Sequence, residues 1–169
     1  MPLYSQILSN DCILNMINPS YKRILLLGCG GCMNESLAFL HSCPIVIHNE
    51  TDTFPAIETE CNRLIELLHC HGFSAKKIII PPGSNIKCIR NICEKKLSFP
   101  EKNSIDVILV LSCYAGYWGF SKVFENVPMF NITKTTGALY YKYFDNEKER
   151  IIIDGKIWPL SAEKYGRKE

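Results

Sequence analysis

No stretch of the 169 residues is apolar over the ~18 positions that a membrane-spanning helix needs. Charge of one sign is not in excess either. Lys and Arg number 19 against 17 Asp and Glu, a formal net charge of +2, which lays down no broad electrostatic footprint for nucleic acid. No Lys or Arg precedes Lys22, and the opening residues mix Ser5, Asn10 and Asp11 with apolar ones. That is not the pattern of a secretory leader, so the cytoplasm is the expected compartment, with no membrane and no nucleic acid among the partners. Also missing are the Ser, His and Asp order of a hydrolase triad, a phosphate-binding P-loop, a paired-carboxylate motif, internal repeats and low-complexity segments. What is there is 47% apolar and 21% charged, too apolar for a disordered chain and long enough for one domain with its own core.

The apolar runs are short and regularly interrupted. Arg23 to Gly28 (RILLLG) reads as a buried strand of a parallel sheet, because such strands are covered on both faces. A tight turn, Cys29 to Met33 (CGGCM), follows, and Asn34 is the expected cap of a helix running to about His41. Pro44 to His48 predicts a second strand, and Ala56 to His71 a helix with Gly72 as its stop. Lys77 to Ile80 predicts a third strand, Ile86 to Leu97 a helix, Asp106 to Leu111 a fourth strand, Phe120 to Glu125 a short helix and Val127 to Ile132 a fifth strand. Strand and helix in alternation predict an α/β fold with a mainly parallel sheet. Ala138 to Phe144 and Arg150 to Ile153 flank a polar turn and predict an antiparallel hairpin at the sheet edge. Residues 1–20 read as an N-terminal arm, 21–160 as the single domain, and 161–169 as a mobile charged tail.

Nine cysteines are the strongest feature. The odd count, with several cysteines inside regular apolar segments, points to a reducing compartment rather than to a disulfide framework. Cys61, Cys70 and Cys93 on helices, and Cys12 and Cys43, read as small packing residues. Four others fall at or beyond the carboxyl ends of predicted strands: Cys29 and Cys32 after the first, Cys88 after the third and Cys113 after the fourth. That rim is where open α/β sheets bind ligands. Four soft thiolates there suit tetrahedral zinc or an iron–sulfur cluster. A glycine-rich turn adds backbone N–H groups close to the sulfurs, and such donors stabilise thiolate charge.

The same turn permits a rival chemistry. Gly28, Gly30 and Gly31, after a strand and before a helix, are placed as in nucleotide or S-adenosylmethionine loops. Glu50 and Asp52 would then take the ribose hydroxyls, although acids in such a loop are more often just solvated charges. His48, His69 and His71 are weaker ligand candidates. Tyr114, Tyr117 and Trp118 follow Cys113 closely, as a shield around a metal centre, as a partner surface or as ordinary rim packing.

At ILLLGCGGC, Cys88, LVLSCYAG and VPMFNITKTTGALYY, over residues 22 to 145, the chain resembles the small cysteine-rich subunit that accompanies methylenetetrahydrofolate reductase in anaerobic bacteria. The resemblance implies a Rossmann-like open sheet and an iron–sulfur cluster, in a site often described as zinc-binding, with Cys29, Cys32, Cys88 and Cys113 as ligands. It also implies a non-catalytic role beside a larger redox enzyme subunit, such as a flavin-containing reductase. Where the family often carries a further cysteine and a glycine-rich acidic stretch, this chain has Met33, Asn34, Glu35 and Ser36. The expectation is therefore an accessory subunit carrying one 4Fe–4S cluster. An S-adenosylmethionine-dependent methyltransferase and a structural zinc module are the alternatives.

Overall fold

A computed structural model of the protein describes residues 1–82, 104–124 and 126–160. The chain is mixed α/β, built on two four-stranded sheets. The parallel sheet contains β2 (Arg23–Cys29), β4 (Ser74–Ile80), β5 (Val107–Leu111) and β6 (Met129–Asn131), in the order β4-β2-β5-β6. The antiparallel sheet contains β1 (Leu3–Ile7), β3 (Val46–Ile47), β7 (Thr133–Asp145) and β8 (Glu149–Pro159), in the order β1-β7-β8-β3. Ile132 is the sole residue between β6 and β7, so the chain passes from one sheet to the other within a single step.

The central parallel strands are apolar throughout because both of their faces are covered. Along β2, Ile24 and Leu26 enter one core, while Leu25 and Leu27 enter a second on the opposite face. On β5, Val107, Leu109 and Leu111 take the first side, and Ile108 and Val110 the other. The first core is closed by α2 (Cys32–His41) and α3 (Pro55–Cys70), through Met33, Leu37, Ile57, Leu64 and Leu68. The second is closed by Phe120 of α4 (Tyr114–Ser121) and by Phe124 just beyond it. Each such side chain contributes roughly 1.5–3 kcal/mol when fully buried. Among the described residues no helix is long and apolar enough to cross a membrane.

Several expectations change here. Among the described residues half of the eight strands are antiparallel, so the sheet structure is not mainly parallel, and the hairpin is the middle of a sheet of its own. Pro44 to His48 yields only the two-residue β3, which pairs with β8 and stands outside the parallel sheet. Residues 1–20, read as an N-terminal arm, carry β1, paired along β7, and α1 (Asn10–Met16), capped by the Ser9 side chain, with Ile13 in the core. The short helix precedes its expected place, covering Tyr114–Ser121 rather than Phe120 to Glu125. Asn34 does not cap α2. It is buried in the first turn, donating from Nδ2 to the Ile45 carbonyl at 2.7 Å and accepting at Oδ1 from the Ile57 N–H at 3.0 Å, which ties α2 to the start of α3. The helix expected at Ile86 to Leu97, with Cys88 and Cys93, and the tail at 161–169 lie outside the described residues.

Candidate metal centre

Strand order decides where ligands from distant turns meet. From β2 the chain moves outward to β4 on one side, and β5 then takes the place on the other side. The carboxyl ends of β2 and β5 therefore flank a switch point, where the loops diverge to opposite faces and leave a crevice. Gly28 pairs with Leu111 across the two strands. One residue past Gly28 is Cys29, and two past Leu111 is Cys113. Cys32 opens α2, and Cys113 immediately precedes α4 as its N-terminal cap.

The strand order thus places the turns that carry these three cysteines at one edge of the parallel sheet. A side-chain hydrogen bond with Cys113 and its charge act on Cys32, and the charges of Cys32 and Cys113 act on Cys29. The backbone N–H groups of Gly31 and Met33 point at the Cys29 sulfur, and that of Leu3 on β1 points at Cys32. Burial nonetheless dominates at Cys29 and pushes its thiol up to about 12, against the lowering pull of those N–H donors. At Cys32 the hydrogen bond to Cys113 is the first cause of a strong upward shift, and burial the second. Without a cation Cys29 and Cys32 are therefore neutral thiols near pH 7. A metal would have to displace their protons, which makes binding pH-dependent. Among the described residues no group of three or more His, Cys, Asp and Glu side chains is placed so that it could hold a metal ion.

A polar brace fixes both cysteine turns. Ser36 Oγ donates to the Cys32 carbonyl at 2.7 Å and accepts from the Ser5 N–H at 3.1 Å. Ser5 Oγ meets Thr135 Oγ1 at 3.0 Å, and Thr135 Oγ1 accepts from the Tyr114 N–H at 3.0 Å. Thr133 Oγ1 donates to the Ser112 carbonyl. Two strands of the antiparallel sheet thus hold the start of α2 and the start of α4 in register. Sequence reasoning missed Ser5, Ser36, Thr133 and Thr135, because hydroxyl residues in strands and helices carry no local mark of a distant partner. Glu35 also lies beside Cys32, and the Tyr141 hydroxyl donates to it.

The glycine turn is filled by protein. A Cβ at Gly30 would stand 2.9 Å from the Ile80 carbonyl and 3.2 Å from the Phe54 ring, and the Gly30 N–H donates to that carbonyl at 2.8 Å. Gly28 rests against Ile57 and Cys61, and Gly31 caps α2. The glycines serve close packing of β4 and Phe54 here, which gives no support to the nucleotide-loop reading. Glu50 and Asp52 follow β3, away from the parallel sheet, and Asp52 is engaged by His48.

The other candidates separate. Cys61 is a packing residue in the core, as expected, whereas Cys12 and Cys70 are exposed and Cys43 is half-buried. His48 bridges two carboxylates, with Nδ1 3.0 Å from Asp52 and Nε2 3.0 Å from Asp145. His69 Nε2 faces the Ala75 N–H and His71 Nδ1 the Leu67 carbonyl, both within their own neighbourhoods. Tyr117 packs under the rim and donates to the Met129 carbonyl, while Tyr114 and Trp118 are exposed one turn apart on α4. Compared with known proteins, the chain matches no family model, no curated protein and no solved structure.

Proposed function

We propose that this chain is an iron–sulfur-binding accessory subunit of an anaerobic redox enzyme complex, carrying one 4Fe–4S cluster for electron transfer or structural support. The observation that carries the reading is the placement of Cys29, Cys32 and Cys113 at the strand ends and helix starts around the switch point between β2 and β5. The donor chemistry fits: three soft sulfurs, with N–H groups directed at two of them. Cys88, outside the described residues, is the fourth ligand in this reading. The strand order around the crevice also supports a Rossmann-like parent for the parallel half.

When bound, such a cluster supplies one-electron transfer at a potential set by hydrogen bonds and burial. The protein's part is to aim the sulfurs, to hold both turns through Ser36, Ser5 and Thr135, and to exclude water from Cys113, which is 1% exposed. The partner is a larger redox subunit, with a flavin-containing reductase as the leading candidate, in the cytoplasm. Chain purified without oxygen should be brown and carry about four iron and four sulfide. Iron and zinc both absent from metal analysis overturn the proposal. A colourless chain with stoichiometric zinc assigns a structural site instead, since four thiolates leave no open position on zinc. Cys113→Ser should lower metal content, and unchanged occupancy removes Cys113 from the ligand set.

A further inference from the structure

Most of β8 is paired along one side only. β7 runs beside it from Arg150 to Pro159, whereas β3 meets it only at Glu149 and Arg150. Among the described residues no strand lies along the other side of Ile151 to Pro159. A groove of about 290 Å³ opens there instead, between Ile151 to Gly155 and the end of α2, with Phe39, Ser42 and Cys43 on its far wall. Main-chain groups face this open side. The Leu160 N–H donates to the Thr136 carbonyl on β7. Alternation along an antiparallel strand then turns the N–H and C=O groups of Trp158 and Lys156 towards β7, and those of Ile157 and Gly155 away from it.

An open strand edge is a template for another strand, and the pattern along this one says which. β3 closes the edge at Arg150, and Pro159, which has no N–H, ends it. Gly155 therefore stands at the middle of the open stretch. About that middle the side chains complement themselves in reverse. One step away on either side are Asp154 and Lys156, and one step further are Ile153 and Ile157. An antiparallel copy centred on Gly155 sets Asp154 of one protomer opposite Lys156 of its partner, and Ile153 opposite Ile157, each twice. Charges on an edge strand ordinarily turn an incoming strand away. These two have opposite signs and equal distance from the midpoint, so they favour a second copy in this one register. Lys156 stays within 5.0 Å of the Trp158 ring centre on its own strand. Ile153, Ile157 and Trp158, 61%, 37% and 56% exposed, are the apolar surface available at this edge.

We infer that the open edge of β8 pairs antiparallel with the same edge of a second copy of this chain, about a two-fold axis at Gly155, and so joins the two antiparallel sheets of a homodimer into one. The contact is isologous: each protomer offers the same edge once, and assembly stops at two. The two Gly155 residues exchange N–H···O bonds across the axis, and the groove beside β8 receives the partner's strand. The candidate metal centre stays clear of this contact, since the groove lies at the carboxyl end of α2 and Cys32 opens that helix. Dimer formation therefore stands apart from the reading under Proposed function.

The test is sedimentation equilibrium of the full chain, metal-free and in reductant, over a dilution series. The expected result is a reversible monomer–dimer equilibrium. A monomer at every concentration, or a ladder of larger species, overturns the inference. Asp154 and Lys156 are both exposed, so their exchange leaves the core untouched. Asp154→Lys and Lys156→Asp should each weaken the dimer by roughly tenfold or more, because each sets like charges opposite one another twice. The double exchange D154K/K156D restores opposite signs and should restore the dimer. A dimer that neither single substitution weakens, or one that the double exchange fails to recover, overturns the placement on β8. Where a variant fails to fold, hydrogen exchange of the unmodified chain decides. The Gly155 and Ile157 amides should exchange slowly in the dimer and quickly in the monomer obtained by dilution. Rapid exchange of both in the dimer, or slow exchange in the monomer, overturns the inference.

Discussion

At Gly30 the missing side chain is a packing requirement. An added methyl would press on the Ile80 carbonyl, a backbone atom that cannot rotate away, and on the Phe54 ring. Gly30→Ala is expected to cost about 1–3 kcal/mol, read as a lower urea midpoint with an unchanged slope. Asp106 is a residue whose charge bears on acid stability. Its carboxylate accepts from the Arg23 guanidinium at 2.6 Å and from the Lys22 and Arg23 N–H groups at 2.9 and 2.8 Å. The Arg23 hydrogen bond first, and those N–H groups next, hold it well below the usual carboxylate range. A depressed folded value means the contribution is complete above the unfolded value of ~3.9 and is lost as pH falls through the folded one. Asp106→Asn should therefore flatten the acid limb of the denaturation midpoint plotted against pH. An acid limb identical to the wild type's removes this role. Gly30 and Asp106 look alike in sequence, a turn glycine and a loop acid; only their neighbours make one a packing site and the other a clasp.

Among the elements, the β7–β8 hairpin was visible as alternating apolar residues around a polar turn, but its length and place were not. Pairing runs from Asp145 with Arg150 back to Gly137 with Pro159, and β1 and β3 flank it. Its turn is clamped to the segment after β3 by His48, which reaches Asp52 and Asp145, while Arg150 holds Asp145 from the other side at 2.6 Å. The hydrogen bond to Asp145, followed by that to Asp52, raises the His48 value. A raised value means the clamp is at full strength below the unfolded value of ~6.5 and weakens as pH rises through the folded one. In the wild type the midpoint should fall between mildly acidic and alkaline pH, and His48→Gln should remove that part of the slope. A wild-type midpoint that rises over the same range would contradict it. No local pattern around His48 announces Asp145, because the contact is made only when the hairpin folds back on β3.

For the molecule as a whole, stability should be uneven. β2 and β5 are buried on both faces, whereas the outer hairpin exposes Tyr140, Phe144, Ile153 and Trp158. Amides of residues 24–28 and 107–111 should exchange hydrogen by global unfolding, and those at the hairpin turn much faster. Uniform protection across both sheets would refute that ranking. The sequence by itself determined the two-faced strands, the long helix on Ala56 to His71 and the choice of Cys29, Cys32 and Cys113 as sulfurs at strand ends, because periodicity and run length record burial directly. It did not determine that the chain divides its strands between two sheets, or that β1 and β7 brace the turns carrying Cys32 and Cys113. Those were decided by strand order and by hydroxyl bridges among Ser5, Ser36 and Thr135, interactions between residues far apart in the chain that no local pattern records.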